Sequence, residues 1–234
     1  MRGSTLVARG APERSRRRYG VLLICCLVLL GIQGVFPPGP VQQVIVALLA
    51  GACLVLAVRS ARLGHTLLHA SRVLAVLLVV VGVLNAVNGG IGDGTARLCV
   101  AALLALGPPA VAVGILRDLR TSGRVEIHAI AGVLALYLLI GMAFAFLYGG
   151  IDHVSSTPFF ADNVPATVSR CLYFSFTTLT TVGYGDMVAD TDLGRTLAIF
   201  EALLGQIYLV TIVSLLVGNL GRSTRVAAGR GQEQ

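Results

Sequence analysis

The chain has 234 residues, 56% of them hydrophobic and only 12% charged, with a mean hydropathy of +0.84. Soluble domains carry about 25% charged residues, so the composition excludes that class and points to a membrane protein. The net charge is +7 and all eighteen basic residues are arginine; no basic face alternates with aromatics in a polar stretch, which excludes nucleic acid as a partner and leaves membrane topology to explain the balance.

Residues 1–18 are a basic segment holding Arg2, Arg9, Arg14, Arg16, Arg17 and Arg18. A helix needs roughly 20 mostly apolar residues to cross a bilayer. The first two candidate spans, 19–36 and 41–58, are slightly short, and Pro37-Pro38-Gly39-Pro40 turns the chain between them. The first has the basic start and apolar centre of a signal peptide. It lacks a small-x-small cleavage site between Gly31 and Pro40, so it is read as a span. Arg59, Arg62 and Arg72 bracket a loop that holds His65 and His69. That i, i+4 pair suits metal or proton binding on one helix face. With arginines beside it and no third ligand, contact with anionic lipid headgroups is the preferred reading.

The third and fourth spans, 73–90 and 96–116, are joined by a turn at Asn88 to Gly94. Pro108-Pro109 is expected to kink or break the fourth. These four spans make an N-terminal membrane region over 19–116, followed by a short basic linker, 117–125. A fifth span, 126–149, is followed by a loop, 150–167. The next apolar stretch, 168–180, is too short to span and runs into a glycine motif, so it reads as a re-entrant helix. A last span, 194–220, precedes a tail, 221–234. The fold class expected is therefore an all-α membrane protein of six transmembrane helices plus a re-entrant helix. Tyr19, Tyr137, Tyr148, Tyr173, Phe159 and Phe160 are candidate interfacial aromatics. Cys25, Cys26, Cys53, Cys99 and Cys171 have no metal-like spacing and read as small buried hydrophobes.

Arginine placement tests this map. With both termini cytoplasmic, fifteen of the eighteen arginines fall inside, and only Arg97, Arg170 and Arg195 fall outside. Asp93, Asp152, Asp162, Asp186, Asp190 and Asp192 all fall on the outer side. Five of them flank the re-entrant segment, where they form either a negative mouth that concentrates cations or ordinary solvated loop charges.

Residues 180–186 read Thr-Thr-Val-Gly-Tyr-Gly-Asp. A row of backbone carbonyls aimed at one axis replaces the water around a desolvated cation. Aiming successive carbonyls one way requires alternating dihedrals, and Gly183 and Gly185 tolerate the left-handed ones. Thr181 adds a side-chain oxygen at the inner end. Val182 and Tyr184 point away from the axis and pack against surrounding protein. The dipole of the preceding short helix places partial negative charge at its C-terminal end, which favours a cation.

The stretch Leu172-Tyr-Phe-Ser-Phe-Thr-Thr-Leu-Thr-Thr-Val-Gly-Tyr-Gly-Asp186, followed by Glu201-Ala-Leu-Leu-Gly-Gln206, resembles tetrameric potassium channels, closely the bacterial two-helix ion-channel pore family. The resemblance covers residues 126–220 as a pore module: outer helix, turret loop, pore helix, selectivity filter and inner helix. It implies K+ binding at Thr181, Val182, Gly183 and Tyr184, with Gly185 completing the filter. Thr180 and Thr181 close the pore helix and begin the filter. Many relatives carry two tryptophans where this chain has Tyr173 and Phe174, and some carry a glutamate where it has Thr177. In those relatives the aspartate after the filter bonds an indole; here the Tyr173 hydroxyl is expected to donate to Asp186. The resemblance places a gating hinge at Gly205; a small residue for close helix packing is the competing reading. Gln206 is expected to face the cavity below the filter, with Val210, Val213 and Val217 lower down. Glu201, ionisable inside a span, is expected behind the filter, with no partner evident. One chain supplies one filter loop, so a homotetramer follows, with membrane lipids and K+ as partners and no cofactor beyond the permeant ion.

Voltage-gated relatives carry arginines along the fourth span, whereas residues 98–116 hold no charge, so voltage gating by a charged helix is not expected. The function read from the sequence is a potassium-selective, non-enzymatic channel of the cell membrane. Two other readings stand beside it. One is a weakly selective cation pore or non-conducting subunit. The other is a secondary transporter or membrane enzyme, against which there is no inverted repeat, no pair of broken helices and no intramembrane acid–base cluster beyond Glu201.

Overall fold

The computed structural model describes residues 10–35, 40–60, 65–88, 93–122 and 128–214. Seven helices account for most of them: α1 (Gly10–Val35), α2 (Pro40–Ser60), α3 (His65–Asn88), α4 (Asp93–Ser122), α5 (His128–Val154), α6 (Val168–Leu179) and α7 (Asp192–Tyr208), the last running into a π turn over Leu209–Val213. Among the described residues the only extended pairing is an isolated antiparallel bridge between Phe160 and Ala189.

Among the described residues two helices, Ile130–Val154 and Asp192–Thr211, are long and apolar enough to cross a membrane. In α1 to α4 the apolar stretches are shorter: Tyr19–Gln33, Val44–Arg59, Leu68–Val81 and Leu98–Val113. The helices themselves run past these stretches, because a turn already formed extends into polar flanks without a new nucleation step. The basic residues from Arg14 to Arg18 are therefore helical, and α4 continues through Arg117 and Arg120. His65 and His69 do not lie in a loop; they occupy the first two turns of α3, both exposed.

Pro108 and Pro109 do not break α4, which is helical on both sides of them. Each proline removes one backbone donor, a loss that neighbouring helices make tolerable. Here Gly107, Ala110 and Val111 are buried, and Gly107 lies against Leu139 of α5. Lateral packing holds the backbone where its own hydrogen bonds are thinned.

The helices share one core. α5 lies against α1 and α4, α2 contacts α1, α3 and α4, and α6 sits between α5 and α7. The buried positions recur at helical spacing, as in Leu22, Cys26 and Leu29 of α1, Ala50, Cys53 and Ala57 of α2, and Ala135, Leu139 and Met142 of α5. The same cluster continues to Phe159, Phe160, Phe174 and Tyr148. Tyr148, Phe159 and Phe160 are no more than 1% exposed and Tyr19 is 3% exposed. They are core residues, not interfacial anchors: the rings of Tyr148, Phe159 and Phe160 pack in a row, and that of Tyr19 lies against Gly132 of α5. The cysteines Cys25, Cys26 and Cys53 converge where α1 crosses α2, with Cys53 Sγ 3.2 Å from Cys25 Sγ and 3.9 Å from Cys26 Sγ. They are free thiols.

Candidate functional site

Thr167 caps the N-terminus of α6, its extended backbone turning in and its hydroxyl accepting from the Arg170 amide at 3.4 Å. The helix buries Cys171, Leu172, Phe174, Ser175 and Leu179 on one face. Phe174 fixes it in depth, packing edge-on against Tyr148, Phe159 and Phe160 with ring centroids 5.3, 5.9 and 5.3 Å away. The opposite face carries Tyr173, which is exposed.

At its C-terminal end the helix hands its carbonyls to the glycine motif. Thr180 N–H donates to Phe176 O, and Thr181 N–H to Thr178 O at 2.9 Å. Val182 N–H and Gly183 N–H both donate to Thr177 O, at 2.9 and 3.1 Å. The described peptide bonds are all trans. In a trans unit the C=O points opposite to the N–H. The carbonyls of Thr181 and Val182 therefore point away from α6, side by side. The backbone keeps the alternation going: φ is positive at Thr181 (58°), Gly183 (50°) and Gly185 (79°) and not at Val182 or Tyr184. Gly183 and Gly185 hold these angles without steric penalty. Thr181 does not, at a cost of roughly 1–2 kcal/mol, and it is held there by its amide bond to Thr178 O and by Gln206, whose Nε2 donates to Thr181 Oγ1 at 3.1 Å. The sequence pattern marked the glycines but not this strained threonine.

Thr177 acts through its backbone. Its hydroxyl turns onto its own helix, donating to Tyr173 O and Phe174 O at 2.9 and 3.0 Å, while its carbonyl receives the two motif amides. Thr180 Oγ1 likewise donates to Phe176 O at 2.6 Å.

Tyr173, midway along α6, donates to Asp186 Oδ2 at 2.9 Å, tying that helix to the residue that ends the motif. The Tyr173 and Tyr184 rings lie parallel, 7° apart with centroids at 6.2 Å. Val182 and Tyr184 are 52% and 71% exposed. Within one chain the Tyr173 ring is the aromatic neighbour of Tyr184, and both Val182 and Tyr184 remain largely uncovered. The loop before α6 is strapped to the segment after the motif: Ala161 N–H donates to Val188 O at 3.0 Å and Asp190 N–H to Phe159 O at 2.9 Å. Asp152, in the last turn of α5, accepts from Phe159 N–H at 2.8 Å, so this acid ties the loop back to the helix before it.

Below the motif, Gly205 abuts the last carbonyl of α6, that of Leu179, which also accepts from the Tyr137 hydroxyl at 3.2 Å. α7 stays helical through Gly205 and departs from regularity one turn later, at Leu209–Val213, where a Thr211 hydroxyl bonds Ile207 O. Val210 is exposed, Val213 closes the π turn, and Val217 lies outside the described residues.

Behind α6 sits a buried polar cluster. Glu201 of α7 and Ser175 of α6 are fully buried. Glu201 Oε2 receives the Tyr148 hydroxyl at 2.6 Å, Oε1 is bonded to Ser175 Oγ, and Ser175 Oγ also donates to Gly141 O at 2.6 Å. The sequence flagged Glu201 as an intramembrane acid but gave no partner. Its partners lie 26 and 53 positions away, and only the packing of α5, α6 and α7 brings them together.

Residues 132–221 match the model of a family described as "Ion channel", a two-helix channel type. The matched span contains α5 from its second turn, α6, the glycine motif and α7. The match supports a non-enzymatic ion channel in a membrane. No curated protein and no solved structure matches the chain.

Proposed function

We propose that the chain is one subunit of a homotetrameric, potassium-selective channel of the cell membrane. Six helices cross the bilayer, both termini are cytoplasmic, and α6 is the pore helix. The observation that carries the reading is the pair of amides at Val182 and Gly183, both turned onto Thr177 O, with the Thr181 and Val182 carbonyls turned the other way. Four such rows around one axis form cages of carbonyl oxygen at Thr181, Val182, Gly183 and Tyr184, with Thr181 Oγ1 at the inner end, that exchange for the water shell of K+ as it passes. Asp186, Tyr173, Thr177 and Thr180 hold the row from outside and behind. Gln206 and the valines below it line the way to the cytoplasm, and Gly205 is the candidate hinge.

Exposed Ile199, Phe200, Leu203, Leu204 and Ile207 on α7 support assembly, since a single chain leaves this apolar face uncovered next to the motif. The stretch of α4 from Leu98 to Leu116 has no charge to move in a field, so gating does not run through it. The test is reconstitution of the full-length protein in liposomes with opposed K+ and Na+ gradients. The expected reversal potential follows K+. A potential midway between the two ions, or no flux at all, would overturn the reading.

A further inference from the structure

We propose that Glu201 is a positioning residue: it keeps its carboxyl proton, donates it to Ser175, and through Ser175 anchors the pore helix to the outer helix. This rests on the channel reading above, because the helix it anchors is the one whose Thr177 carbonyl receives the filter amides.

The assignment follows from counting hydrogens. Gly141 O is a backbone carbonyl and only accepts. Ser175 Oγ, 2.6 Å from it, owns one hydrogen, which that bond uses. Ser175 Oγ is also bonded to Glu201 Oε1. The hydrogen for this second bond comes from the carboxyl group. The other carboxyl oxygen, Oε2, then accepts the Tyr148 hydroxyl at 2.6 Å. Each hydrogen is used once and each buried polar atom of the cluster has a partner. A carboxylate would put two oxygens within bonding distance with no hydrogen between them. It would also bury a full charge, and among the described residues no arginine or histidine forms an ion pair with Glu201. Glu201 and Ser175 are both 0% exposed, so water does not fill the gap.

The chain Glu201, Ser175, Gly141 O crosses all three elements of the pore. It starts on α7, passes through α6 and ends on α5, while Tyr148 adds a second attachment to α5. Ser175 is two residues before Thr177. A pore helix released from this anchor shifts the one carbonyl that fixes two filter amides. Glu201 itself touches neither filter nor ion path.

Three full-length variants test it in liposomes: Glu201→Gln, Glu201→Leu and Ser175→Ala. A glutamine amide donates to Ser175 and its carbonyl accepts from Tyr148, so Glu201→Gln preserves the pattern. Leucine fills the space without it. The expected result is K+ flux within about twofold of wild type for Glu201→Gln and a loss of about tenfold for Glu201→Leu and Ser175→Ala, the scale set by one buried bond. Melting temperature in detergent follows the same order, and the infrared C=O stretch of a protonated carboxyl, present in wild type, disappears in Glu201→Gln. Glu201→Gln as damaging as Glu201→Leu, or no protonated carboxyl lost with the substitution, overturns the proposal. Wild-type liposomes that pass no K+ overturn the channel reading instead; the infrared band and the melting order still decide the proton on Glu201, so the two failures are told apart.

Discussion

The carbonyl of Leu179 occupies the space beside Gly205: a Cβ there would overlap Leu179 O and stand 3.0 Å from its carbonyl carbon and 3.1 Å from its Cδ1. The neighbour is backbone at a helix end, so it has no rotamer to yield. Close approach of α7 to the end of α6 thus accounts for a glycine at this point whether or not α7 bends there. Gly205→Ala is expected to destabilise the protein by about 1–3 kcal/mol through overpacking. Thermal unfolding in detergent measures it. An alanine variant that melts with the wild type would remove the packing role and leave a hinge as the reason for glycine.

Tyr173→Phe keeps the ring beside Tyr184 and deletes the hydroxyl that reaches Asp186 at 2.9 Å. The bond joins the two ends of the filter support, and the filter amides still hold on Thr177. Faster decay of K+ current with an unchanged K+/Na+ reversal potential is the expected phenotype. Currents with wild-type decay would show that the bond does not stabilise the conducting filter.

Gly183 holds φ at 50° and has no atom within 4 Å of where a Cβ would stand in the chain. The strain of Gly183→Ala is therefore in the backbone alone, roughly 1–2 kcal/mol per copy. Selective K+ current is expected to be lost. D-alanine, placed at 183 by semisynthesis, suits positive φ and is expected to restore it. Equal loss with both stereoisomers would point to the side-chain volume, not the dihedral angle.

Tyr137→Phe tests the contribution of α5 to the same helix end. It removes the donor to Leu179 O and leaves the Tyr208 ring in place, 5.4 Å away by centroid. The expected cost is about 1 kcal/mol, read as a lower melting temperature with K+ selectivity retained. No change in melting would mean that the Leu179 carbonyl is satisfied without Tyr137.

The motif was legible in the sequence because its chemistry is local. Gly183 and Gly185 mark angles that few other residues accept, and the short apolar run before them reads as a helix too short to span. Tyr173 and Asp186 could be paired through the resemblance, since they stand where the resembled channels bond an indole to the aspartate after the motif. Thr181 was missed as a strained position because threonine carries no sign of positive φ in its side chain; its bonds to Thr178 and Gln206 hold it there. Residues that depend on packing between distant helices were not legible. Cys53 meets Cys25 across 28 positions, and Glu201 meets Tyr148 across 53. Pro108 and Pro109 misled for the opposite reason: the local rule was sound, and the contact of α4 with α5 overrode it.

α5 belongs to two neighbourhoods at once. Its residues Ala135, Leu139 and Met142 sit in the same apolar cluster as Leu22 and Leu104, while its Tyr148 and the Gly141 carbonyl hold Glu201 and Ser175. The segment that matches the channel family is thus not a detachable cassette. A truncation starting at residue 126 would strip the cover from one flank of α5 and leave small and branched side chains facing whatever solvent or lipid replaced it. On the proposed channel reading, a push delivered to α1 or α4, by bilayer tension or a bound partner, reaches through α5 the same bonds that seat α6.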